Sequence, residues 1–141
     1  MRDGNGNWIR GFSHNLGITN SLAAELWGLT DGLVLAYDLN IPKLIREIDA
    51  KVVVDLFKPE NVVSSESHPY SALITNCKYL ILFFEKASLH HAHYESNFCA
   101  DLLAKAGNTM LDTFSFYVSP PHFVVSKFMA DIWGVSYPRV L

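Results

Sequence analysis

Three carboxylates stand where side chains from separate segments can converge: Glu25, Asp49 and Asp101. Glu25 lies in a helical stretch, Asp49 follows the strand-like IPKLIREI, and Asp101 lies one turn into a helix that opens after HHAHYES. Carboxylates brought together repel one another and raise one another's pKa unless a divalent cation neutralises them. Hard oxygen donors of this kind suit Mg²⁺ or Mn²⁺. Two such ions can activate a water and stabilise the leaving oxygen in phosphodiester cleavage. In open α/β sheets, sites form outside the carboxyl ends of strands, which is where Asp49 falls.

Each carboxylate also has a plainer reading. Asp49 can cap a helix at 50–57, a role aspartate fills well. Asp101 has Lys105 four residues on, a surface pair worth about 0.3–0.5 kcal/mol. Glu25 can be the polar edge of an amphipathic helix. Spacing alone leaves these readings open.

The elements that must position these residues follow from periodicity and punctuation. RDGNGN (2–7) is a hairpin-turn signal, with Asp-Gly and Asn-Gly suited to positive backbone angles, and WIRGFS (8–13) follows as a strand. From Thr19 to Leu39 the pattern is helical, with Asn20 as cap and Leu22, Leu26, Leu29 and Leu33 as the apolar stripe. IPKLIREI (41–48) reads as a strand, DAKVVVDLFK (49–58) as a short helix and PENVVSSESH (59–68) as a polar loop. PYSALITNCKYLILFFEK (69–86) is predicted helical, and ASLHHAHY (87–94) reads as a strand. NFCADLLAKAG (97–107) closes the series as a helix, capped by Asn97, burying Phe98, Leu102 and Ala106, and ended by Gly107. Beyond it, TFSFYV, SPPHF and VVSKFMADIWGV suggest an extended stretch, a turn and a short helix. Strands alternating with helices indicate an α/β domain.

Composition narrows the class. At 141 residues the chain is most simply one domain, and with 50% apolar and 18% charged residues most of it should be ordered. No apolar run reaches the length of a membrane span, so no membrane partner is expected. The N-terminus has no apolar signal core, which argues for an intracellular setting, nuclear or cytoplasmic. Cys77 and Cys99 have no metal spacing and read as reduced thiols in helices. A net charge of −3 gives no overall attraction to nucleic acid, so any such binding must be local. Arg10, Lys43, Arg46, Lys51 and Lys58 are too scattered to form a patch, and oligomeric state has no signature here.

With these elements in place, three blocks carry a resemblance. NSLAAELWGLTDGLVLA, LIREIDAKVVVDLF and YESNFCADLLAKAG resemble consecutive blocks of the ribonuclease H superfamily, closest to the plant type-1 domains related to non-LTR retrotransposon reverse transcriptases. DGNGNWIRGFS resembles the first hairpin of that family, and SPPHFVVSKFMADIWGVSYPRVL resembles its C-terminal extension. The Ala-Asp-x-Leu-Ala-Lys block around Asp101 is the most specific. The resemblance implies a ribonuclease H-like mixed sheet flanked by helices over 1–107, with 108–141 as extension. It further implies Mg²⁺-dependent hydrolysis of RNA in RNA–DNA hybrids, two ions per site, with Glu25, Asp49 and Asp101 as catalytic metal ligands. Asn97 would then cap the last helix of the domain and orient its first turn.

Two departures from the pattern shape the expectation. The family begins with a strand carrying Asp-Gly, whose aspartate contacts both ions, and a second strand leading into the hairpin turn; this sequence opens at the turn. The fold is therefore expected to lack the first two strands and the fourth carboxylate, as a truncated or degenerate member with impaired activity. Tyr94 also stands where the family has arginine. In the family's sheet order, 3-2-1-4-5, the absent first strand is central. WIRGFS should then lack its hairpin partner, the strand at 41–48 should keep one neighbour, and residues 1–13 should be the least protected. The alternative is a non-catalytic retroelement-derived remnant with weak nucleic-acid or protein binding.

Other features carry less. His91 and His93 share one face of a strand while His90 points away, so at most two converge, with Glu95 distant, against the four ligands of a structural zinc site. They read better as polar residues at a strand end near the acidic site. Trp8, Trp27 and Trp133 can offer stacking faces, but in a chain this apolar they read first as core.

Overall fold

The computed structural model describes residues 1–59, 68–93 and 97–132. Strands and helices alternate: β1 (Gly11–His14), α1 (Ser21–Asp38), β2 (Lys43–Ile48), α2 (Lys51–Leu56), α3 (Ser71–Ile81), β3 (Lys86–His91), α4 (Phe98–Gly107), β4 (Phe114–Tyr117) and α5 (Val125–Ile132). The mixed α/β class matches the expectation. No helix among the described residues is long and apolar enough to cross a membrane. Two compact units emerge among the described residues, one within 19–92 and one of 1–18 with 93–132.

In the first of these, residues 19–92, helix α1 is framed at both ends by asparagine. Asn20 has an extended backbone, and its side-chain oxygen accepts the Ala23 N–H at 2.9 Å, the expected cap. Its amide also donates to the Tyr70 hydroxyl. At the other end Asn40 adopts φ 57°, tolerable for asparagine. Its N–H then reaches the Tyr37 carbonyl while the Ile41 N–H reaches that of Ala36, closing the helix in a Schellman motif. Leu26 and Leu33 of the expected stripe are buried, and Leu22 and Leu29 pack partly buried against the core. That core is Leu26, Ile48, Val53 and Ile74, one residue each from α1, β2, α2 and α3. Trp27 differs from expectation: it is 39% exposed.

Strands β2 and β3 pair in parallel, from Lys43 opposite Lys86 to Ile48 opposite His91. Parallel pairing demands a crossover, which α2 and α3 supply. Among the described residues β2 has that single neighbour, as expected. Helix α3 is shorter than the 69–86 pattern predicts. After Ile81 the N–H groups of Leu82, Phe83 and Phe84 turn to carbonyls three residues back, so the helix tightens and stops. Glu85 and Lys86 then donate to the Pro42 carbonyl, setting the start of β3 beside that of β2. The apolar run of 80–84 continued the helical period and hid this break. The polar loop expected at 59–68 lies mostly outside the described residues.

Residues 1–18 and 93–132 assemble around a pairing the sequence did not announce. β1 runs antiparallel to β4, with Phe12 opposite Phe116 and His14 opposite Phe114. The strand read as lacking its hairpin partner has another neighbour here, which the extension after Gly107 provides. The turn signal itself holds. Asp3 accepts the Asn5 and Asn7 N–H groups on one carboxylate oxygen, at 2.9 Å each, and Gly6 takes φ 83°. Met1 and Arg2 form the short first arm, with Arg2 bridged to Trp8. Trp8 donates its indole N–H to the Tyr117 carbonyl and meets the Phe128 ring edge-on at 5.5 Å.

Helix α4 packs on β1 by a face rotated one residue from that predicted. Cys99, Leu103 and Gly107 are buried, whereas Phe98, Leu102 and Ala106 are only half-buried. Ser13, itself buried, fixes the contact by donating its hydroxyl to the Leu103 carbonyl at 2.6 Å. Gly107 does not end α4 through a left-handed turn. A Cβ there would lie 2.8 Å from the His14 carbonyl oxygen, so glycine is required for close approach. Cys77 and Cys99 are free thiols in helices, as expected.

A candidate carboxylate site

Glu25 and Asp101 belong to helices, and Asp49 stands between a strand and a helix. Glu25 is half-buried on α1, beside the core residue Leu26. Asp49 is half-buried just past the end of β2, beside the core residue Ile48. Leu26 and Ile48 belong to one cluster, so Glu25 precedes and Asp49 follows a residue of the same core. Asp101 belongs to the other unit, in the first turn of α4, where a negative charge also suits the helix dipole.

The plainer reading of Asp49 is not what is observed. Helix α2 is capped by Ala50, whose side chain has nothing to donate or accept, and Asp49 stands one residue before it. Among the described residues no hydrogen bond or ion pair engages the Asp49 carboxylate. Its backbone carbonyl faces His91 Nε2 at 3.1 Å. A carbonyl only accepts, so the imidazole nitrogen carries the proton.

Asp101 keeps its plainer role. Lys105 Nζ lies 2.9 Å from its carboxylate, with the lysine side chain 65% exposed, so the pair adds about 0.3–0.5 kcal/mol. Asn97 occupies the position before α4 but does not cap it by its side chain. Its φ of −115° and ψ of 20° depart from the extended backbone that aims a capping side chain at the first turn.

The charges around Asp49 are mixed. Asp55, in the last turn of α2, pairs with Lys58 at 2.8 Å. That hydrogen bond holds its carboxyl below the usual range against the opposing effect of desolvation, with the charges of Lys58, Lys51 and His91 adding to it. On β2, Arg46 donates from Nε to the Ser88 carbonyl at 3.3 Å, and burial lowers its pKa. Beneath, Thr30 sits 3.1 Å from the Cys77 sulfur, and burial pushes that thiol up. His90 turns the other way, to Ser88 Oγ at 3.1 Å, so neighbouring histidines separate as strand alternation requires. Tyr94, Glu95 and Trp133 lie outside the described residues. Among the described residues, no group of three or more His, Cys, Asp or Glu side chains is gathered to hold a metal ion.

The family described as reverse transcriptase-like matches residues 1–107, a span that includes Glu25, Asp49 and Asp101. The chain belongs to that family. It is an RNase H-like domain, as the three sequence blocks indicated. A protein of Arabidopsis thaliana named "Putative ribonuclease H protein" is 32% identical over 139 residues, which is 99% of this chain and 22% of that relative. The likeness to it therefore continues past residue 107, and this domain corresponds to about a fifth of its length. No solved structure matches the chain.

Proposed function

We propose that this RNase H-like domain binds nucleic acid and hydrolyses the RNA strand of RNA–DNA hybrids, with Glu25, Asp49 and Asp101 as the ligands of two Mg²⁺ ions. The observation that carries the reading is the family match across all three carboxylates. Supporting it, the Asp49 carboxylate stands at a strand's carboxyl end without serving as a helix cap. The donor set is entirely carboxylate oxygen, which suits a hard divalent ion. Such ions supply a lowered water pKa and a counter-charge for the leaving oxygen. The chain's own part is to hold three negative charges at fixed backbone positions: Glu25 on a capped helix, Asp49 at a ladder's end and Asp101 in a first helical turn. Lys105 holds the Asp101 carboxylate in one direction until a stronger cation replaces it.

These 141 residues supply three carboxylates, against four in the family pattern. Losing one preorganised contact in a transition state typically costs roughly 3–4 kcal/mol, about a hundred- to a thousand-fold in rate. A chain of these residues alone should cleave a labelled hybrid in Mg²⁺ slowly, and Asp101→Asn should abolish what there is. Adding an Asp-Gly strand and its partner before Met1 should raise turnover. Cleavage unaffected by Asp101→Asn would defeat the assignment.

A second reading has one observation on its side. The absence of a gathered three-ligand group among the described residues favours a non-catalytic, retroelement-derived remnant that binds nucleic acid or protein weakly. Hybrid binding without Mg²⁺-dependent cleavage, even with the added strands, would select it.

A further inference from the structure

One edge of β2 is filled by β3, and the backbone groups on its other edge point elsewhere. The Pro42 carbonyl accepts from Glu85 and Lys86, and the Ile48 carbonyl accepts from Ala92, so both face β3. Backbone groups alternate in direction along a strand, so the N–H and C=O of Lys43, Ile45 and Glu47 point away from β3. Among the described residues no strand lies on that side of β2. A row of strand groups left in this way is a template for pairing with another chain.

The side chains of the same three residues specify which chain fits. Ile48 packs among Leu26, Val53 and Ile74 of the helices, so by strand alternation Lys43, Ile45 and Glu47 share the opposite face. All three are exposed, Ile45 at 69%. Their order along that face is cation, apolar, anion, with the isoleucine at the midpoint. Laid antiparallel on its own copy about Ile45, this face is complementary to itself. Ile45 meets Ile45 of the second copy, and each Lys43 meets the other copy's Glu47. These are also the residues whose backbone groups face the open edge, so the same register makes each couple a hydrogen-bonded pair. A slip by one residue would turn the matched side chains to opposite faces, and a parallel pairing would bring like charges together.

We infer that β2 is a self-association edge: two copies of this chain pair antiparallel through it, about a two-fold axis at Ile45, and join their ladders into one sheet. Lys43 now pairs with Glu85 at 3.6 Å, both side chains about two-thirds exposed, a contact loose enough to yield to Glu47 of the second copy. An edge of 6 residues makes a small interface, so the dimer is weak and forms as concentration rises. The pairing stands apart from the hydrolysis proposed above.

The test is sedimentation equilibrium of the full chain over a rising concentration series. The apparent mass should climb from one chain toward two, with the Ile45 amide exchanging more slowly as it does. Lys43→Glu or Glu47→Lys sets like charges opposite each other in both halves of the pair, and each should raise the dimer dissociation constant about 10- to 100-fold. An equimolar mixture of these two variants restores opposite charges in every couple and should associate as tightly as wild type. A single-chain mass at every concentration overturns the inference. So does a dimer indifferent to both reversals, or a mixture no tighter than its components.

Discussion

Residues 19–92 and the unit formed by residues 1–18 with 93–132 reach order by opposite routes. The first is one unbroken stretch, whose core draws a residue from each of four successive elements. The second joins the two ends of the sequence, with β1 and β4 about a hundred residues apart and Ser13 bonded to Leu103. Periodicity within a segment reveals a contiguous unit well, because each helix announces its own apolar face. It says nothing about which distant segment closes an open strand edge.

The contrast extends to the carboxylates. Asp49 belongs to the contiguous unit, and the peptide planes on either side of it are bonded to Ala92 and His91. Asp101 belongs to the unit closed across the sequence and is held by a side-chain ion pair one turn along its helix. A backbone held at two planes is stiff. An exposed lysine pair is loose and screened by salt.

The difference between the units can be pressed by mutation. The largest effect should come from the contiguous core: Leu26 is fully buried, and Leu26→Ala should cost about 2–5 kcal/mol in denaturant unfolding. In the other unit the sensitive point is a close approach rather than a large side chain. Gly107→Ala places a methyl 2.8 Å from the His14 carbonyl and should cost about 1–3 kcal/mol, with the β1 amides losing exchange protection first. A tolerated alanine would mean that α4 and β1 can separate without loss.

The two asparagines before helices make a sharper pair. Asn20→Ala removes a bonded cap and should cost about 1 kcal/mol, whereas Asn97→Ala removes none and should stay within about 0.5 kcal/mol. Equal losses would show that Asn97 serves its helix in another way. The smallest change is expected from Lys105→Ala, about 0.3–0.5 kcal/mol and less at high salt, measured by the shift in urea midpoint.

Much of this was legible in the residues. The Asn20 cap, the leucine stripe, the strand at 43–48 and the short helix after it follow from local pattern, and all lie in the contiguous unit. Asn97 shows the limit: residue type suggested a cap, but the backbone angle decided otherwise. The buried face of α4 was misjudged by one position because Cys99 and Gly107 are weak apolar signals beside Phe98 and Leu102. The partner of β1 was hidden because TFSFYV has strand composition without any mark of its mate. Asp49, Glu25 and Asp101 were found through the Ala-Glu, strand-end Asp and Ala-Asp blocks. The contact of His91 with the Asp49 carbonyl was not, since a strand-end histidine looks the same whether or not a carbonyl stands opposite.

Glu25, Asp49 and Asp101 are proposed as ligands of Mg²⁺, and that proposal predicts how each responds to a divalent ion. The most direct measurement is a titration of the isotope-labelled chain with Mn²⁺, a paramagnetic substitute for Mg²⁺, following the amide resonances of residues 25, 49 and 101. Parallel broadening of all three at one Mn²⁺ concentration, reversed by excess Mg²⁺ and lost together in Asp49→Asn, is the predicted result. Broadening at Glu25 and Asp49 that leaves Asp101 untouched would contradict the assignment of Asp101 as a ligand.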